Sequence, residues 1–199
     1  RDLHSFPTRR SSDLWELVLQ SLLPMSLSPN KVVVQSSFQC LQFIRSNFIC
    51  VLRKWDLHKF VLTSSAYVHQ QCDMNIALAA VESLWNVGDL LAKGESGENS
   101  SDELTFQCMW LSLLREMRVS CLDSRPEVRA SSIRTLFTTL ANHGSILTED
   151  SWIASLENTI IALLIDVLDV AERPPTPSRA PKQDDVVMHF SRNSAEKQW

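Results

Sequence analysis

Residues 123–144 read DSRPEVRASSIRTLFTTLANHG, with the start, face and stop of one helix in a single run. Asp123 is placed to cap the orphan amides of a coming helix, and Pro126 fits its first turn, where a missing N–H costs nothing. Glu127 complements the positive end of the helix dipole. Ile133, Leu136, Phe137, Leu140 and Ala141 fall at i, i+3, i+4, i+7 and i+8, a single apolar stripe on a helix. Asn142, His143 and Gly144 supply the stop. The stretch therefore predicts the turn and second helix of a helical hairpin.

An Asp, a proline, then Val-Arg and small residues before a Leu also resembles the second half of a HEAT repeat, the unit of an α-solenoid. In that pattern Arg129, which follows Val128, is expected to reach a neighbouring turn, and Asp123 to cap. Working outward, the same kind of element recurs. Trp15 to Leu23 predicts a short helix ended by Pro24. A turn at 26–30 precedes a helix over 31–53, with Leu41, Ile44, Phe48, Val51 and Leu52 on one face. Asp56 starts a helix to Gln70. Asp73 or Asn75 caps another over 76–93, closed by Gly94, with Ala77, Val81, Leu84, Trp85 and Leu91 on its stripe. Gly88 is expected to be a point of close approach between helices. A polar loop at 94–102 leads to a helix over 103–122 carrying Phe106, Trp110, Leu113, Leu114, Met117 and Cys121. The last helix, capped by Asp150, spans 151–172. The fold expected is all-α, a HEAT/armadillo-like α-solenoid of paired antiparallel helices, with repeats of about 40 residues. Residues 173–185 hold Pro174, Pro175, Pro177 and Pro181 and predict a flexible linker. Residues 186–199 read as the start of a truncated following segment.

Bulk properties agree. The chain has 199 residues, 44% hydrophobic and 21% charged, with Gly 4, which leaves little for turn-rich β folds or phosphate-cradling loops. A formal charge of -4 points to no general affinity for nucleic acid or anionic lipid. The longest apolar run, 160–171, is broken by Asp166 and Asp169, too short for a spanning helix of about 20 residues. The cysteines at 40, 50, 72, 108 and 121 are odd in number and contain no C-x-x-C, so neither a disulfide framework nor a zinc site is implied. Cys40, Cys50, Cys108 and Cys121 fall in predicted helices, where a buried reduced thiol packs as a small hydrophobe.

Residues 1–14, RDLHSFPTRRSSDL, match the translation of a widely used sequencing-library adapter. They are expected to make no specific contribution to the fold. They carry Arg1, Arg9 and Arg10 against Asp2 and Asp13, so what remains is one charge more negative than -4. The repeat domain then covers residues 15–172.

No chemistry-bearing constellation emerges. His58, His69, His143 and His189 are scattered, with no metal-ligand spacing and no adjacent nucleophile. Asp166 and Asp169 share a helix face, as half of a di-metal carboxylate site would, but no E-x-x-H accompanies them. Trp85 and Trp110 lie on core stripes, and Trp15, Trp55 and Trp152 near helix ends. Asn99-Ser100-Ser101 matches a glycosylation sequon, read as accidental. No catalytic, cofactor-binding or metal-ligating residue is assigned, no cofactor is expected, and the chain is read as not an enzyme.

Four segments carry a resemblance to a family. Residues 73–89 (DMNIALAAVESLWNVGD) are similar to a run in the Mon-two proteins that leads to L-W-N-I-x-D. Residues 37–42, the motif over 125–144, and residues 189–199 (HFSRNSAEKQW) also resemble that family, in its order. Residues 54–71 match it poorly. The resemblance implies a region downstream of homology to the Sec-seven-type Arf exchange factors. It also implies an α-solenoid, a scaffold in Golgi and endosome trafficking, and a cytoplasmic location peripheral to those membranes through the full-length protein. Implied partners are a Dopey-type scaffold, a phospholipid flippase and Arf-like GTPases, with no nucleic acid. The alternative is a regulatory helical region of a large Arf exchange factor whose catalytic domain lies elsewhere. Binding is expected on the exposed faces around 56–70, 103–122 and 151–172 and on the Pro-rich linker.

Overall fold

The computed structural model describes residues 8–94 and 103–172, with side chains over 14–94 and 106–172. The sequon at 99–101, the Pro-rich stretch 173–185 and the segment 186–199 lie outside the described residues. The described elements are all helical: α1 (Thr8–Met25), α2 (Lys31–Phe48), a 3-10 turn (Ile49–Val51), α3 (Lys54–His69), α4 (Met74–Gly94), α5 (Glu103–Ser120), α6 (Pro126–His143), a 3-10 turn (Gly144–Ile146), α7 (Glu149–Ser155), a π-helical segment (Leu156–Ile161) and α8 (Ala162–Glu172). The chain divides into two compact units, 1–167 and 168–199. Of the second, only the helical residues 168–172 are described.

In the first unit, consecutive helices pack as hairpins: α1 with α2, α3 with α4, α5 with α6. Each helix also packs on the one two places along, α1 on α3 on α5 and α2 on α4 on α6. That pattern makes two layers, the stacking of an α-solenoid. Side-chain contacts give the direction within a layer. Lys59 meets Glu16, Thr63 Oγ1 reaches the Leu19 carbonyl, and Tyr67 Oη donates to the Leu22 carbonyl at 3.0 Å, so α1 and α3 run parallel. Across α2 and α4, Gln35 meets Asp73 and Arg45 meets Ser83, each pair 38 residues apart. From the second hairpin to the third the separation grows to 54 at His58–Ser112 and 55 at Gln70–Arg125, because the long 95–102 connection intervenes.

The core follows from the stripes. Phe106, Trp110, Leu113, Leu114 and Met117 are buried on α5 and Cys121 just past its end, as are Ala77, Val81, Leu84 and Leu91 on α4. Burial pushes the Cys121 thiol up to about 12. The other helical cysteines differ from expectation: Cys40, Cys50 and Cys108 are exposed. The middle hairpin has neighbours in both directions of its layers, so α3 buries nine residues around most of its circumference. Close packing there needs small side chains. A Cβ on Gly88 would stand 3.2 Å from Thr139 Cγ2 and 3.5 Å from Leu113 Cδ2, which bears out the expected close approach.

Several boundaries depart from expectation. α1 begins at Thr8, inside the adapter-like segment, and ends at Met25 with Pro24 in its last turn, where the N–H it lacks costs only the one helical bond to the Gln20 carbonyl. α2 ends at Phe48 rather than 53, and the 3-10 turn that follows leaves Val51 exposed. Asn30 caps α2, its Oδ1 accepting from the Val32 N–H at 2.9 Å. Asp56 lies in the first turn of α3, whose N-cap is Arg53. Thr148, not Asp150, caps α7 by accepting from the Ser151 N–H. On α6 the buried face is Val128, Ser132, Leu136, Thr139 and Leu140, while Ile133 and Phe137 are exposed. The stripe is turned by one residue toward small side chains, because α4 approaches at Gly88.

Gly144 has an ordinary helical φ of -62, so its role is spatial. A Cβ there would overlap the Trp152 indole, which packs against the core. Gly144→Ala is expected to lower stability by about 1–3 kcal/mol, the usual scale of overpacking. Thermal denaturation that leaves the midpoint unmoved would show that Trp152 has room to retreat.

Candidate functional site

The turns inside the hairpins line up along one edge of the stack, and polar side chains tie each to the next. In the first step Asp73 accepts from Lys31 at 3.1 Å and from Gln35 at 3.2 Å, while its Oδ1 takes the Asn75 N–H. Those hydrogen bonds, that of Lys31 first, hold the Asp73 carboxyl below the usual carboxylate range. Of the two cap candidates for α4, Asp73 is the one used. The Cys72 thiol points to the Ser28 carbonyl at 3.5 Å.

The second step is built on Arg125. Its guanidinium donates to the Val68 carbonyl at 2.6 Å, the Gln70 carbonyl at 2.7 Å and both Asp123 oxygens at 2.8 Å. Gln70 in turn accepts the N–H groups of Cys72 and Asp73 at 2.8 and 2.9 Å. The end of α3 leaves carbonyls without helical partners, and a planar five-donor group from the next repeat satisfies them. Asp123 is buried, and His69 Nδ1 stands 3.7 Å from its Oδ2. The Arg125 hydrogen bonds hold the Asp123 carboxyl below its ordinary range against the opposing effect of burial, and Asp123 holds Arg125 charged.

Two expectations change here. Asp123 does not cap α6, whose N-cap residue is Arg125 with no side-chain cap bond. Arg129 turns back to the carbonyls of Asp123 and Ser124 at 2.8 and 3.3 Å, within its own hairpin. Arg125, not Arg129, spans the repeats. The side chain that follows the Asp by two positions is the one directed across the turn, and only the stacking geometry reveals it.

The three described histidines outside residues 1–14 all lie at the junction of the second and third hairpins. His58 Nδ1 meets Ser112 Oγ at 3.0 Å, His69 faces Asp123, and His143 stands 3.9 Å from Asp89 between Trp85 and Trp110. The structure does not bring them together, and among the described residues no group of three or more metal-ligating side chains forms. Asp166 pairs with Arg118 at 2.6 Å instead of facing solvent alone. No described helix is long and apolar enough to cross a membrane.

What the outer faces offer is surface. Between α1 and α3 a groove of about 250 Å³ has Leu19 and Thr63 at its floor and Leu23, Trp55, Lys59 and Leu62 at its walls. Trp55 is 64% exposed, and Lys59 Nζ lies 5.5 Å from its ring centre. Between α2 and α4 a larger groove of about 380 Å³ is lined by Arg45, Cys50, Glu82, Asn86 and Lys93 among others. Both are open clefts between parallel helices, suited to side chains of another protein.

Comparison with known proteins adds the lineage. The family model described as the C-terminal region of Mon2 protein matches residues 98–199. A Xenopus laevis "Protein MON2 homolog" is 27% identical over 93% of the chain and 12% of its own length. The Homo sapiens "Protein MON2 homolog" is also 27% identical, with the same shares. A Caenorhabditis elegans protein, "Monensin-resistant homolog 2", is 30% identical over 84% of the chain and 10% of its own length. The chain thus spans about 12% of the length of the first two relatives. No solved structure matches.

Proposed function

We propose that this chain, which belongs to the Mon2 family, is a stretch of non-catalytic scaffold for vesicle-mediated protein transport at the Golgi and endosomes. It binds protein partners on the outer faces of its stacked helices, on the cytoplasmic side of those membranes. The observation that carries the reading is the architecture: helices of one layer lie side by side and parallel, and present open clefts with an exposed tryptophan at the rim of one. A standard interface buries about 800 Å² per partner, an area two or three adjacent hairpins supply. The family resemblance over residues 37–42, 73–89, 125–144 and 189–199 supports the trafficking role. It also supports partners of the kind it implies: a Dopey-type scaffold, a phospholipid flippase and Arf-like GTPases.

The test has two arms. The purified chain is expected to leave the rate of nucleotide release from Arf-type GTPases unchanged, and to capture Golgi or endosomal trafficking proteins from eukaryotic cytosol. A Trp55→Asp variant with unchanged stability is expected to lose part of that capture. Accelerated nucleotide release would refute the non-catalytic reading, and capture of nuclear proteins alone would refute the trafficking one.

A further inference from the structure

The helix that follows the third hairpin changes register in its middle, at the π-helical segment Leu156–Ile161. Its buried positions are Ser151, Ser155, Thr159 and Leu163, spaced by four residues each, and α5 is packed against its first two segments. An α-helix turns once per 3.6 residues, so a strict spacing of four drifts by about 40° at every step. Bonds from i to i+5 widen the turn and cancel that drift. The π segment is thus what keeps Leu163 buried in line with the positions before it while Ile161, Leu164 and Ile165 point outward at 50%, 60% and 53% exposure.

Hydrophobic burial alone does not fix this register. Residues 160–165 read IIALLI, apolar at every position, so a continuous α-helix would still bury an apolar side chain there, Ala162 in place of Leu163. Polar contacts do choose it. Arg118 on α5 donates through Nη1 to the Asn158 carbonyl at 3.1 Å, inside the π segment. Its Nε and Nη2 reach Asp166 Oδ2 at 2.8 and 2.6 Å, beyond the segment. One guanidinium therefore grips the helix within the register change and again beyond it. In a continuous α-helix one residue fewer per turn would rotate α8 by about 100°. Asp166 would then swing from the flank of the contact toward the centre of α5.

We propose that Arg118 is a register latch: it selects the π form of this helix, and its withdrawal lets the segment become continuous α-helix with a different apolar face presented outward. A specific polar contact is an established way to fix register where apolar side chains alone leave two choices. In the unlatched form Ala162 turns onto α5, Leu163 moves to the flank, and Ile165 leaves the outward face. A partner seated on Leu164 and Ile165 would then hold the latched form, and an anion that captures Arg118 would release it.

Introduced cysteines read the rotation in the full chain, with alkylation followed by peptide mass so that the native Cys40, Cys50, Cys72, Cys108 and Cys121 do not interfere. Ala162→Cys and Leu163→Cys are each compared with and without Arg118→Gln. The expected result is an exchange: position 163 is alkylated several-fold faster without Arg118, and position 162 several-fold slower. Asp166→Asn, which keeps the Asn158 contact, is expected to move both in the same senses by less. Unchanged rates at both positions would overturn the proposal. So would acceleration at both, which reports local unfolding rather than a change of register.

Discussion

An Arg125→Ala variant is expected to unfold about 3–5 kcal/mol more easily than the parent in a urea titration, the range for removing one partner of a buried ion pair. The magnitude comes from what is left behind. Asp123, with 2% of its side chain exposed, would keep its charge without its guanidinium, and the carbonyls of Val68 and Gln70 would lose their donors. Arg129→Ala, by contrast, removes partly exposed bonds within one hairpin and should cost about 1 kcal/mol. A ranking with Arg129 the costlier would reverse the assignment of the spanning residue. The pH dependence follows with a definite sign. The folded-state pKa of Asp123 lies below its ordinary value, so the stability the clasp contributes is fully present above the ordinary carboxylate range. It is lost as pH falls through the depressed folded value. The gap between parent and Arg125→Ala should therefore narrow on acidification.

The second large effect is expected at Trp110, which is fully buried on α5 with its ring stacked on Phe106 and edge-on to His143. Trp110→Ala should cost about 3–5 kcal/mol through lost burial and the cavity that remains. Its indole N–H has no hydrogen-bond partner among the described residues, so Trp110→Phe should recover most of that loss. Equal losses for both substitutions in the same titration would mean that the N–H has a partner after all.

The helices and two of the stripes were legible in the sequence because large apolar residues at 3.6-residue spacing mark a face wherever the neighbour is an ordinary apolar surface. That holds for α4 and α5, whose predicted residues are nearly all buried. It fails on α6 because the neighbour there is Gly88. The face that packs must be small, so Ser132 and Thr139 go inward while Ile133 and Phe137 stay outside. Hydropathy favours the larger residues and so misplaces the stripe by one position. Proline and cap rules located helix ends to within a few residues. They did not reveal the 3-10 turns, the π segment or the choice of Thr148 over Asp150, which depend on packing against other helices. The candidate site was the least legible part. Asp123 and Arg129 carry the repeat pattern, but the residue that crosses to the next hairpin is Arg125, and its targets are backbone carbonyls 55 and 57 positions away. A backbone acceptor leaves no mark in a sequence.

One arrangement underlies the fold and both grooves, parallel packing of alternate helices in two layers. A single side-chain NOE spectrum of the whole chain tests it most directly. The arrangement predicts cross-peaks from the Tyr67 ring to Leu22 in one layer and from Gly88 to the Thr139 methyl in the other. If both were absent while contacts within each hairpin, such as Trp15 to Phe48, remained, the hairpins would exist without the stack, and the solenoid would be wrong.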